Sequence, residues 1–169
     1  MTPRKFEEAQ SLHRCCLALA CVLLLWPAAL PAQPAAQRVD DGRFRATYLH
    51  QYKALEGVAP DMVVMELRDR VELVASRGSY VGAPNDDRRV RGFESALLLG
   101  LQAAVCQGTS MNPERPLPIV VEKIDAAASA QRLRPQADDV AMLSALAQRL
   151  LDNQPRERWC SLKSLDEIR

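Results

Sequence analysis

From Phe44 to Leu151 the apolar residues of this chain recur every three to four positions and do not alternate over the length of a strand. That spacing gathers them on one side of a 3.6-residue helix, whereas it would scatter them over both faces of a strand. An all-α domain is the expectation. In "FRATYLHQYKALEG", Phe44, Tyr48, Leu49, Tyr52 and Leu55 share one side, and Gly57 with Pro60 supplies the stop. Asp61 is expected to cap a second helix, "MVVMELRDRVELVAS". Val64, Leu67, Val71 and Val74 form its apolar stripe, and Glu66, Arg68, Asp69 and Glu72 its wet face.

"RGSYVGAPNDDRR" collects Gly78, Gly82, Pro84 and Asn85, which is turn chemistry. The segment after it, "VRGFESALLLGLQAAVCQG", is apolar on nearly every side from Ala96 to Cys106, so this helix is expected in the middle of the bundle. Gly100 inside it costs about 1 kcal/mol relative to Ala, which close approach of a neighbouring helix would offset. Beyond a linker at "GTSMNPERP", the segment "LPIVVEKIDAAASAQRL" opens with β-branched residues that also suit a short strand. Ile119, Val120, Ile124 and Ala127 behind Pro118 favour a helix. The last helix is expected to open at Pro135, with Asp138 and Asp139 at its positive end and Pro155 as its stop. Val140, Leu143, Ala147, Leu150 and Leu151 face inward. About five helices, no hairpin, no repeat and no Gly/Ser linker describe one small bundle over residues 33–169.

The first 32 residues read differently. Arg4, Lys5 and Arg14 outweigh Glu7 and Glu8, the short apolar run "CCLALACVLLLW" follows, and "PAALPAQPAAQ" supplies small residues and prolines. This is the order of a secretory signal peptide, with cleavage expected after Ala32. A membrane anchor would need about 20 apolar residues; the uncharged run starting at Cys15 is shorter and is broken by Pro27. Lipidation at Cys21 would cut inside the apolar run, which continues to Trp26. No stable membrane insertion is expected after cleavage, and the mature chain is periplasmic or secreted. Of five cysteines, Cys15, Cys16 and Cys21 leave with the signal, so Cys106 and Cys160 remain in an oxidising space. They are expected to bridge; the other reading keeps Cys106 as a buried thiol and Cys160 as an exposed one.

Net charge is +1, so the basic footprint of a nucleic-acid binder is missing. After the signal, His50 is the sole histidine. A zinc set of recognisable spacing and a nucleophile–imidazole pair are therefore both hard to assemble. The serine of "GSYVG" stands in the wrong place for a nucleophile elbow. Asp86–Asp87 and Asp138–Asp139 are adjacent in sequence, which suits turns and helix starts better than acid/base work. No catalytic residue, metal or cofactor is expected, and an enzyme is not the reading. "NDDRRVR" offers more to a protein partner. Asp86 and Asp87 would cap the central helix while Arg88, Arg89 and Arg91 grip a carboxylate-bearing surface. Tyr80 completes the candidate partner-binding set, since Tyr and Arg dominate interface hot spots; the blander reading is a solvated turn. Trp159 is either an interface anchor or an aromatic packed over the bridge.

The central "RGFESALLLGLQAAVC", the amphipathic pair after it and the final "RWC" resemble the small periplasmic immunity proteins that neutralise type VI secreted peptidoglycan amidases. The likeness runs from about Asp61 to Cys160. It implies an all-α, disulfide-bonded and often dimeric protein whose partner is a secreted peptidoglycan-degrading effector. Members commonly place proline soon after the central cysteine, whereas Gln107 and Gly108 follow Cys106 here, and no toxin-contact residue carries over. The competing expectation is a periplasmic chaperone or envelope-assembly accessory protein. The export reading predicts that N-terminal sequencing of the exported protein starts near Gln33; an intact Met1 on a cytosolic product would overturn it.

Overall fold

Ala141, Ser144, Ala145 and Ala147 are small residues on one stretch of chain, and all are buried. Small side chains let neighbouring helices approach closely on several sides, and here three of them do. The computed structural model describes residues 38–39, 41–77, 87–107 and 117–168; the expected signal segment lies outside them. Six α-helices occur among the described residues: α1 Gly42–Ala54, α2 Pro60–Arg77, α3 Asp87–Cys106, α4 Leu117–Ala130, α5 Ala137–Asn153 and α6 Arg156–Ser161. A 3-10 turn, Leu165–Glu167, closes the chain, and no strand is present among the described residues. The domain is all-α, as the spacing of its apolar residues requires.

The middle of the bundle is α5, which packs against α1, α2 and α4. This corrects the expectation that α3 would be central. Buried side chains line α5 on almost every side, from Asp139 and Val140 through Leu143, Leu146, Gln148, Leu150 and Leu151. Along α3, by contrast, Leu99 is 62 % exposed. The all-round apolar character of "ALLLGLQAAVC" is misleading because a helix with one exposed Leu still reads as apolar, while α5 carries charges at both ends of a buried middle.

The sequence reading misses α6. Pro155 is expected there only to stop α5, but its extended backbone is the N-cap of the next helix, and a fixed φ suits proline to that position. Two smaller corrections follow the same lines. Asp61 sits inside the first turn of α2, which starts at Pro60, so it acts on the helix dipole and not as a cap. Leu49 is 43 % exposed, because Phe44, Tyr48 and Leu55 already cover the side of α1 that meets α5, and Leu49 is rotated well away from them.

Cys106 and Cys160 are joined by a disulfide with Cα atoms 5.8 Å apart. Trp159 beside it is 1 % exposed, which makes it core and not a surface anchor. After it, Leu162, Leu165 and Ile168 are also buried, so the end of the chain is a strap along the bundle. Gln102 of α3 holds it, with Nε2 donating to the carbonyls of Trp159 (2.9 Å) and Leu162 (2.6 Å). Arg68 of α2 fastens the far end, donating to Asp166 (2.7 Å) and also to Glu94 of α3 (3.2 Å).

Gly100 does face a neighbouring helix, but a Cβ added there would meet Lys123 Cβ of α4 at 3.4 Å, an ordinary contact. The tighter position is Gly92, where a Cβ would come within 2.7 Å of the Gln131 side chain. Gly100→Ala should therefore gain most of the helix-propensity difference, about 1 kcal/mol. A thermal midpoint raised by about 3 °C would confirm this; a lowered midpoint would show that the methyl does not fit.

Candidate partner-binding surface

Four residues of α3 stand exposed at helical spacing, Arg88, Arg91, Ser95 and Leu99. They form one outward stripe about 16 Å long, from eleven steps of about 1.5 Å. Of the residues picked from the sequence, Tyr80 and Asp86 lie outside the described residues. Asp87, Arg88, Arg89 and Arg91 lie in the first turns of α3, which starts at Asp87, three residues earlier than the segment opening at Val90 that the sequence suggests. Arg88 and Arg91 share the stripe, whereas Arg89 is half-buried and rotated about 100° from Arg88. Ser95 and Leu99 are absent from the sequence-based set, though their spacing from Arg88 is a usable signal.

Three arginines at the start of a helix oppose its macrodipole, and among the first-turn residues only the acid Asp87 offsets them. Arg88 and Arg91 thus put basic side chains on the outward stripe. The rest of α3 is held by neighbours: α4 on one flank, α2 on another and α6 with the strap on a third. The outward face of α2 is of opposite character. Met62 (46 % exposed) and Met65 (56 % exposed) lie on it with Asp61, Glu66, Asp69 and Glu72, all exposed.

The acids at the start of α5 have structural work. Asp139, 4 % exposed, takes two hydrogen bonds from Arg77 Nη1 at the end of α2 (2.8 and 2.7 Å) and one from the Gln136 backbone N–H (3.2 Å). Asp138 accepts from Arg43 of α1 at 3.0 Å. These carboxylates tie three helices together. Asp125 of α4 accepts from Arg38 at 2.6 Å; burial raises its carboxyl pKa, and Arg38 only partly opposes that.

A second aromatic and charged cluster lies where α1 meets α5. Tyr52 donates its hydroxyl to Asp152 (2.6 Å), and Gln148 Nε2 donates to the other oxygen of that carboxylate (2.8 Å). Arg149 lies 3.7 Å over the Tyr52 ring and donates through Nε to the Tyr52 carbonyl (2.8 Å). Tyr48 stacks beneath, its ring centroid 5.8 Å from that of Tyr52. These polar groups bond to one another, so the cluster fastens α1 to α5. Among the described residues no group of three or more His, Cys, Asp or Glu is placed to hold a metal ion.

Burial, with Tyr52 and Asp152 adding to it, pushes the Tyr48 hydroxyl from 10.0 up to about 12. The sign follows from proton linkage. Above pH 10 the unfolded chain ionises this phenol while the folded protein keeps it protonated, so stability falls as pH rises from 10 toward 12. Each pKa unit is worth about 1.4 kcal/mol, which makes the loss from this group about 2–3 kcal/mol. Urea denaturation across that range should show a shallower decline in Tyr48→Phe than in the wild type; equal slopes would count against the assignment.

Comparison with known proteins finds no family model, no curated protein and no solved structure that matches the chain. The immunity-protein resemblance therefore stands on the sequence pattern given above.

Proposed function

We propose that this is an exported protein-binding module, an immunity or inhibitor protein that neutralises an effector enzyme by occupying it, and that it performs no catalysis of its own. The observation that carries this reading is the outward stripe of α3. It sets Arg91 and Leu99 on a rigid helix, and Arg91 has no ion-pair partner among the described residues. Pre-organised Arg donors beside an apolar contact are the elements from which interface hot spots are built. A positive stripe of this kind complements an acidic, carboxylate-bearing surface.

The test uses the mature protein and, as the candidate effector, a purified peptidoglycan amidase of the type VI secreted class. Stoichiometric inhibition with a complex on size-exclusion chromatography is the expected result. The double substitution R91E/L99A should weaken that complex by about 30-fold or more, in line with hot-spot truncations of at least about 2 kcal/mol, with the thermal midpoint unchanged. Absence of both complex and inhibition would overturn the reading. Inhibition that survives R91E/L99A at full strength would move the contact off this stripe.

A further inference from the structure

The disulfide is placed for chemistry as well as for holding the chain. Cys160 is an exposed residue and Cys106 a half-buried one, so the Cys160 end of the bridge is the more accessible of the two. Core disulfides are shielded from thiols, while exposed ones are open to exchange. Around Cys160 on α6, Arg156 precedes it by one helical turn, Glu157 by three residues, and Lys163 follows by three, all exposed, so the charges there are mixed. The strap beyond it is docked at a cost, since the buried Trp159 Nε1 has no hydrogen-bond acceptor among the described residues.

We propose that the Cys106–Cys160 bridge is an exchange site for dithiol reductants and that opening it loosens the strap Trp159–Ile168 from α3. The reductant's thiolate attacks the exposed Cys160 Sγ, the S–S bond breaks, and Cys106 leaves as a thiolate that takes a proton. The reductant's second thiol, deprotonated, then attacks its own sulfur in the mixed disulfide and expels Cys160 as a thiolate that takes a proton. Two electrons pass from the dithiol to the bridge; the reductant ends as a disulfide and the protein as two free cysteines. What then holds the strap is the burial of Trp159, Leu162, Leu165 and Ile168 together with Gln102 and its two carbonyl contacts and Arg68 with Asp166, without the covalent tie. This inference is independent of the partner proposed for the α3 stripe.

The experiment takes the oxidised mature protein in dithiothreitol at neutral pH, without denaturant, and counts thiols by alkylation and mass. Reduction within about 10-fold of the rate in denaturant is expected. A bridge reachable only through global unfolding would be slower by about 10⁴-fold or more, given ordinary domain stability, and that result would overturn the proposal. A monothiol such as glutathione should be trapped on Cys160; a mixed disulfide found on Cys106 would overturn the stated direction of attack. Trypsin should cut after Arg156, Arg158 or Lys163 at least about 10-fold faster in the reduced protein. Equal cleavage in both states would show that the bridge does not control the strap.

Discussion

Everything in this domain depends on one helix being buried on nearly all sides. Along α5 the small residues Ala141, Ser144, Ala145 and Ala147 alternate with Val140, Leu143, Leu146 and Leu150, and none of these is more than 2 % exposed. Close packing of this kind leaves little room for volume change, because lost contacts and strain are both felt in a dense interior. The one hydroxyl among them, on Ser144, is satisfied inside the helix by the Val140 carbonyl at 2.6 Å. Apart from the terminal residues Ala137 and Asn153, only a narrow strip with Asp138, Met142, Arg149 and Asp152 is less than fully buried. That strip is where α1 is tied on, by Arg43 at one end and Tyr52 at the other, so α1 runs parallel to α5.

With α5 in the middle, α3 is pushed to the side of the bundle, and its apolar excess has to be covered from elsewhere. The strap performs that role. Trp159, Leu162, Leu165 and Ile168 are buried against the bundle, each side chain contributing on the order of 2 kcal/mol by burial. The disulfide adds the entropy term of a closed loop, about 4 kcal/mol for a separation of 54 residues in the chain-entropy model. The strap acts through native contacts, while the bridge restricts the unfolded chain and also any state in which the strap alone lifts from α3.

Those same neighbours define what α3 leaves open. Its flanks are occupied, and the remaining stripe mixes positive charge with one small hydroxyl and one exposed Leu, while the outward face of α2 mixes negative charge with two exposed methionines. A near-neutral chain therefore presents two outward helix faces of opposite sign. Net charge alone conceals this, because long-range attraction depends on where charges lie and screening limits each face to its own surroundings.

The residue order alone was enough for the helices with clean stripes. Val64, Leu67, Val71 and Val74 on α2, and Val140, Leu143, Ala147, Leu150 and Leu151 on α5, are all buried as their spacing demands, since helical period is a local property. The pairing of Cys106 with Cys160 was legible from their number once the leading segment was set aside. Which helix is central was not, because that depends on how much of each surface its neighbours cover, and side-chain composition does not report it. The same holds at the surface. Arg88, Arg89 and Arg91 look equivalent in sequence, yet helix rotation turns Arg89 toward the bundle and leaves the other two outside. Gln102 and Arg68 carry no local sign of their tasks, because a side chain that fastens a strap finds its acceptors some 60 and 98 residues away, and only the tertiary fold brings such partners within hydrogen-bonding distance.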